Sequence, residues 1–396
     1  MQHCCKKKNK DWLIEIYLKF LFDFDTLASF YYLFIMKQNT TIRTFSDAAY
    51  QQADSILLKD EYFKNRKEVF GITIDPVSSQ DLDDAFWIRT VDDIRNIIQL
   101  SIHTADVSSL IPIHSSLDKE GYHRLQSFYD KKDKQGKSYD DPLFPQNLSS
   151  YLMSLIPDEK RLTMSIDVDI DMQKRKILSV SDPYQSCIVS FDQLSYESAY
   201  QHMIDKNSLY HGMLRDAAKI AKLIHKERMQ TSKINFSFRK QITQDQDGNI
   251  QSVSYPTQKI IHEFMLLKNK TIAEFFESHH ISGIFRNHYA SLVHRHNNKI
   301  VKGKECITYD KKPVIDITLK NYKLKQRNAF YGAENQGHFD LGLSSYMHFT
   351  SPIRRYPDII NHRILIAYLL NYPIPYSSSE LGDLSRYFTR RIRFND

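Results

Sequence analysis

Residues 71–86 read Gly71-Ile72-Thr73-Ile74-Asp75-Pro76-Val77-Ser78-Ser79-Gln80-Asp81-Leu82-Asp83-Asp84-Ala85-Phe86. The run from Val69 to Ile74 is apolar and rich in β-branched residues, which predicts a strand ending at Asp75. Pro76 and the polar residues after it force a turn, which can fold Asp81, Asp83 and Asp84 back beside Asp75. Four carboxylates within ten residues repel one another, and each raises the others' pKa unless a cation compensates. Hard oxygen donors suit magnesium or manganese better than zinc. Such a cluster can hold ions that orient a water and stabilise the leaving oxygen of a phosphodiester. The competing reading is an acidic loop capping a following helix, whose N-terminus favours Asp. The motif alone leaves the two about even. A calcium loop is disfavoured, because the D-x-[DN]-x-[DN]-G register is absent.

Working outward, Ile97 to Val107 is a second strand candidate bounded by turn formers. Leu162 to Ile170 alternates apolar and polar residues as a half-buried strand does. Helical periods run over Met213–Glu227, Gln258–Ser278 and Ile359–Leu370. Strands come first and helices mostly later, so the expected class is α+β rather than a doubly wound sheet. Near the C-terminal end, Ser351-Pro352-Ile353-Arg354-Arg355-Tyr356 places Ser and Pro at expected N-cap and first-turn positions of a helix. The paired arginines that follow can fork onto phosphate oxygens and stabilise developing negative charge. Pro357 is expected to break or kink that helix. Solvated arginines at a surface helix start are the plainer alternative.

The chain has 396 residues, 41% of them hydrophobic, with 24 Tyr and 23 Phe against 11 Gly. It can therefore bury a large core, and low-complexity or collagen-like architectures are excluded. A formal charge of +7 favours a polyanionic partner, though only weakly. Between Lys299 and Arg327, nine Lys and Arg face three Asp and Glu, either a solvated loop face or a wall that tracks phosphates. The four cysteines form no C-x-x-C pair, so neither a zinc knuckle nor a disulfide framework is expected, and a reducing, cytoplasmic setting is the natural reading. Leu27–Met36 is apolar but too short to span a bilayer. It reads as part of an amphipathic helix or as sequence ahead of an initiator at Met36, and no membrane association is expected. P-loop, dinucleotide-binding and G-x-S-x-G signatures are absent. So is H-E-x-x-H, which leaves His294 and His296 among sixteen scattered histidines without metalloenzyme spacing.

Six segments taken together resemble the RNB catalytic domain of the ribonuclease II / ribonuclease R family. They are GITIDPVSSQDLDDAF at 71–86, SIHTADVSSLIP at 101–112 and PLFPQNLSSYLMSLIPDEKRLTMSI at 142–166. IIHEFMLLKNKTIAEF at 260–275, IFRNHYAS at 284–291 and YGAENQGHFDLGLSSYMHFTSPIRRYPDIINHR at 331–363 complete the series. The resemblance implies a mixed, mostly antiparallel sheet flanked by helices, with an RNA channel leading to a buried acidic site. It also implies a magnesium-dependent 3′-to-5′ exoribonuclease that releases 5′-mononucleotides from single-stranded RNA.

Carried over by position, Asp75, Asp81 and Asp84 hold metal, with Asp83 set to position water or the terminal nucleotide. Arg354 stands near the scissile phosphate, and Arg355 beside it. Tyr129 and Phe236 form an aromatic clamp on the terminal base, with Phe238 close enough to Phe236 to confuse the register. Glu263 fixes the terminal nucleotide and Asp106 supports the same site. Stacking tolerates any base, because every base offers a π-face, so sugar hydroxyls are what distinguish RNA from DNA. Without the resemblance, core packing for the aromatics and a helix-surface role for Glu263 are the preferred readings. A buried, satisfied strand-end carboxylate is as good a reading of Asp106.

The chain departs from the family pattern at both ends. Residues 1–45 form an N-terminal extension, helical or lacking in the mature protein, ahead of a catalytic domain over 46–396. The N-terminal segment of about 70 residues is expected to be too short for the two cold-shock-type domains typical of the family, and the sequence given stops at Asp396, ahead of where the family carries an OB-type domain. A fragment, a truncated product, a minimal enzyme, or a partner supplying those domains in trans all remain open. A catalytically idle RNA-binding or regulatory protein is the alternative from a different class.

Overall fold

The computed structural model describes residues 43–133, 135–230, 241–244, 250–253, 255–296, 299–307, 322–326 and 328–395. Two compact units divide the chain: residues 1–44 with 128–141, and residues 45–127 with 142–396.

The larger unit opens with helices α1 (Asp47–Ser55) and α2 (Asp60–Phe63), then strand β1 (Lys67–Asp75). Strands β2 (Asp84–Asp92) and β3 (Ile97–Ala105) continue as an antiparallel meander, Ile72 facing Phe86 and Phe86 facing Ile102. In the smaller unit, β4 (Phe128–Lys132) and β5 (Ser138–Asp141) form a hairpin. There Asp141 takes ion pairs from Arg43 at 2.6 Å and Lys131 at 3.0 Å.

Back in the larger unit come β6 (Lys160–Asp171), β7 (Lys176–Val180) and β8 (Tyr184–Ser195). Residues 163–171 of β6 pair with β3 along one edge, while 160–165 pair with β8 along the other. Strand β8 in turn pairs with β1, the one parallel contact in an otherwise antiparallel set. The expected mixed sheet therefore closes on itself, in the order β1-β2-β3-β6-β8 and back to β1, with β7 paired to the far end of β6. Closure removes exposed edges and crowds the wall. At Gly71 an added Cβ would lie 2.9 Å from Ile188 Cδ1 and 3.2 Å from Ala85 Cβ.

Helices pack on the apolar side of these strands. α3 (Ser116–Arg124) follows β3, α4 (Tyr196–Ile204) follows β8, and α5 (His211–Met229) precedes the short strands β9 (Gln241–Gln244) and β10 (Ile250–Val253). The 23-residue α6 (Pro256–Ser278) has Pro in its first turn, where the missing N–H costs nothing. It buries Phe264 edge-on against Phe86 at 5.2 Å between centroids. Strands β11 (Phe285–Asn287) and β15 (Phe330–Gly332) pair with each other, while β12 (Ala290–His296), β13 (Lys299–Ile307) and β14 (Tyr322–Gln326) form a separate three-stranded sheet. Helices α7 (Tyr356–Leu369) and α8 (Ser378–Asn395) complete the chain. Among the described residues no helix is long and apolar enough to cross a membrane.

The α+β class is present, and so is every strand and helix singled out among the described residues; the helix expected at Leu27–Met36 lies outside them. One local expectation fails. Ser351 and Pro352 do not start a helix: α7 begins at Tyr356, with Pro357 in its first turn. Pro357 opens this helix rather than kinking it. The Asp358 carboxylate accepts the Ser351 backbone N–H at 2.8 Å and the Arg355 guanidinium at 2.8 Å, which holds residues 351–355 as a turn ahead of the helix.

Candidate active site

The β1–β2 connection carries the acidic motif. Ser79 N–H bonds Pro76 carbonyl at 2.9 Å, closing the expected turn. Leu82 is buried and anchors the loop: its N–H donates to Ser154 Oγ at 2.9 Å, and its carbonyl accepts from Leu155 N–H at 3.0 Å. Asp84 then begins a strand, so the capping alternative for this motif does not hold.

Asp83 joins the loop to the distant arginine segment. Its Oδ1 accepts the Ile353 backbone N–H at 2.8 Å, a bond spanning 270 positions, and its Oδ2 lies 3.2 Å from Arg354 Nε. That second oxygen is buried and the contact is not angled as a hydrogen bond, so it has no hydrogen-bond partner. Arg354 Nη2 donates to Ser351 Oγ at 2.8 Å, and its side chain stays 43% exposed. Arg355 points the other way, onto Asp358.

The electrostatics show mutual repulsion. Burial raises the Asp75 carboxyl well above its ordinary range, and Asp84, Asp83 and Asp81 push it further. Burial likewise raises Asp83, against the pull of Arg354. Asp84 is pushed up to about 6 by burial, with Arg354, Lys268 and Arg355 opposing. Asp75 and Asp83 thus feel the neighbouring aspartates, as the sequence pattern predicts, whereas Asp84 is raised by burial.

Two residues that sequence reasoning missed border this cluster. Lys268 on α6 is fully buried, and its Nζ donates to Met164 carbonyl at 2.6 Å, Thr104 Oγ1 at 2.9 Å and Ile102 carbonyl at 3.2 Å. Thr104 is the cross-strand partner of Asp84. Tyr196 follows Ser195, the β8 residue paired with Asp75; burial raises its phenol, and Asp75 and Asp84 raise it further. A lone Lys in an apolar helix and a Tyr at a strand end carry no motif, so no sequence signal marks either.

The remaining expected residues occupy distinct surroundings. Glu263 is buried on α6 and ion-paired to Arg228 and His225. Asp106 is buried at the end of β3, where it takes Arg66 Nη2 at 2.7 Å and the hydroxyls of Ser108 and Ser109 at 2.8 and 2.6 Å. Burial alone would raise its pKa, but Arg66 and these donors outweigh burial and lower it. Tyr129 lies on β4 in the smaller unit, 46% exposed. Phe236 and Phe238 lie outside the described residues, as do residues 1–42 and the side chains of 299–307 and 322–326.

The residues present fit a hard divalent ion by donor chemistry. Asp75 Oδ2 and Asp83 Oδ2 are buried without hydrogen-bond partners, and an ion among the aspartates would relieve the repulsion that raises their pKa values. Among the described residues, no group of three or more His, Cys, Asp or Glu side chains is arranged to hold a metal ion.

A closed barrel with an acidic loop clamped to an arginine turn defines the class of fold, and the comparisons agree. The family profile described as RNB domain matches residues 63–371, and the chain belongs to that family. Ribonuclease R of Helicobacter pylori is 31% identical over 341 residues, covering 78% of this chain and 50% of that protein. Among solved structures, Mycoplasma genitalium RNase R in complex with ribose-methylated single-stranded RNA superposes with a TM-score of 0.69 at 23% identity. That match covers 89% of this chain and 60% of that one. Yeast Ssd1, described as a pseudonuclease, has the same fold at TM-score 0.62 and 19% identity, covering 84% and 44%. The chain spans about half the length of the curated relatives it matches.

Proposed function

We propose that this chain is a 3′-to-5′ exoribonuclease that hydrolyses single-stranded RNA to 5′-mononucleotides. The observation that carries the reading is the clamp on Asp83, which places the acidic loop directly against the Arg354 guanidinium. Asp75, Asp81 and Asp84 would hold magnesium, with manganese able to replace it. When bound, the ion supplies charge neutralisation at the phosphate and lowers the pKa of water. Asp83 orients the attacking water or the terminal nucleotide, while Arg354 stabilises charge that develops on the phosphoryl oxygens. Arg355, locked to Asp358, holds the turn that presents Arg354.

Glu263 holds the terminal nucleotide, Tyr129 and Phe236 stack on its base, and Asp106 braces the wall through Arg66. Residues 46–396 form the catalytic domain on this reading and 1–45 an extension, with a cytoplasmic setting. The test is a time course on 3′-labelled single-stranded RNA with magnesium and with EDTA. Mononucleotide release that EDTA abolishes supports the proposal. RNA binding without hydrolysis would instead favour an idle RNB-fold binder, a reading kept alive by the pseudonuclease with the same fold.

A further inference from the structure

Helix α3 ends in a strained turn that leads directly to the arginine segment. Leu125, the residue after the helix, has φ 67° and ψ −43°, a γ-turn conformation that a bulky side chain rarely adopts. The Gln126 N–H closes that turn onto the Arg124 carbonyl at 2.9 Å. Leu125 is buried, its N–H donates to the Gly121 carbonyl at 2.9 Å, and its carbonyl accepts the Tyr356 N–H at 2.8 Å. A residue stays in such a region only where its surroundings over-determine it, and such outliers gather at functional sites. Here the turn redirects the chain so that Leu125–Ser127 runs antiparallel to Arg354–Tyr356. Gln126 bridges Arg355, and the Ser127 N–H donates to the Arg354 carbonyl at 3.0 Å. Arg355 is extended, at φ −138° and ψ 118°, as that pairing requires.

Side chains repeat the attachment. The Tyr356 hydroxyl donates to Asp118 Oδ1 at 2.7 Å, and the same oxygen takes the Arg363 guanidinium at 2.7 Å. The other oxygen of Asp118 accepts the His114 N–H at 2.7 Å. Gly121 meets the phenol ring so closely that a Cβ there would lie 2.8 Å from Tyr356 Cδ2. Arg354, by contrast, keeps 43% of its side chain in solvent, so the aim of its guanidinium depends on the backbone beneath it. We propose that Tyr356 is a positioning residue, whose hydroxyl on Asp118 clamps the arginine turn to the strained end of α3 and so aims Arg354 at the reacting phosphate. This role presupposes the exoribonuclease reading and the place of Arg354 within it. Leu125 is held against its own preference by the bonds at either end. Loosening one end lets it relax, and the strap paired with Arg354 moves with it. A shift of ~1 Å in a group that must meet a transition state can cost about 100-fold in rate.

The test is Tyr356→Phe in the full chain, assayed on single-stranded RNA with magnesium. The ring stays, and Asp118 keeps Arg363. The variant should lose about tenfold or more in kcat with KM changed less than about twofold, because the lost alignment matters only in the transition state. The deciding measurement repeats the substitution in Arg354→Ala, where a residue acting through Arg354 has nothing left to aim and should cost nothing further. An unchanged kcat in the single variant, or a loss of the same factor in both backgrounds as a lesion of folding alone would give, would overturn the positioning role and leave the nuclease reading standing. A wild-type protein that leaves the RNA intact would overturn that reading, and this role with it.

Discussion

Replacing Asp84 with Asn should stabilise the metal-free protein at neutral pH, which separates the cost of the acidic cluster from its use. The folded carboxyl titrates at about 6 against an ordinary 3.8, with burial the largest cause. At about 1.4 kcal/mol per pKa unit, that rise corresponds to roughly 3 kcal/mol of penalty on the ionised form. The sign follows from proton binding. Below pH 3.8 both folded and unfolded chains hold the proton, and Asp84→Asn has no advantage. Between 3.8 and 6 the folded state alone retains it, so wild type loses stability as pH rises. Above 6 the gap is constant. In EDTA at pH 7, with a domain of this size shifting about 2 °C per kcal/mol, the variant's thermal midpoint should rise by about 3–6 °C. Urea midpoints from pH 3.5 to 8 trace the same curve. Magnesium should narrow the gap by stabilising wild type, and RNA hydrolysis should fall at least a hundredfold. A variant less stable than wild type at pH 7 in EDTA, or a gap independent of pH, would refute the premise that this carboxylate is held under electrostatic load.

Arg354→Ala should cost about 2–4 kcal/mol of transition-state stabilisation, comparable to loss of an oxyanion donor, and should also lower the thermal midpoint at neutral pH, because the buried Asp83 and Asp84 carboxylates lose an opposing charge. Unchanged turnover would remove Arg354 from the mechanism. Tyr129→Ala should alter the length of the limit product on a sequencing gel, and an identical product would contradict a stacking role. His103 is buried against Ser165 at 2.6 Å, and its pKa is lowered to about 3, mainly by burial. Its neutral form is fully stabilising above the unfolded value of 6.5, so stability should fall by up to about 1.4 kcal/mol per unit as pH drops below 6.5 towards 3. His103→Gln should flatten that slope in acid urea titrations; an unaltered slope would place the loss elsewhere.

The acidic loop was legible because its chemistry is local: an apolar strand, a proline turn and three more aspartates fix both the turn and the repulsion. Strands β1, β3 and β6 and helices α5 and α6 were legible through periodicity for the same reason. Closure of the sheet was not. It depends on β6 using one edge for β3 and dividing the other between β8 and β7, and alternation along one strand says nothing about which strands flank it. The start of α7 was misplaced because Pro352 and Pro357 are both compatible with a first turn. What decides between them is the Asp358 carboxylate taking the Ser351 N–H, a contact invisible to spacing.

Beside the Arg354 guanidinium 3.2 Å from Asp83, the clamp on the acidic loop uses neutral groups. Leu82 supplies burial, Ser154 a hydroxyl, and Ala105, Leu155 and Ile353 backbone N–H groups. Lys268, the cation buried deepest beside it, bonds strand carbonyls and Thr104 rather than a carboxylate, so it acts on Asp84 through space. A loop fastened by ion pairs to its own aspartates would consume the lone pairs that a metal needs. Fastening it through the backbone instead keeps one oxygen of Asp75 and one of Asp83 unpartnered, each carboxylate within the other's field. On the proposed reading, the electrostatic penalty and cation binding are one property of the same loop, and a mutation that lowers the first should weaken the second.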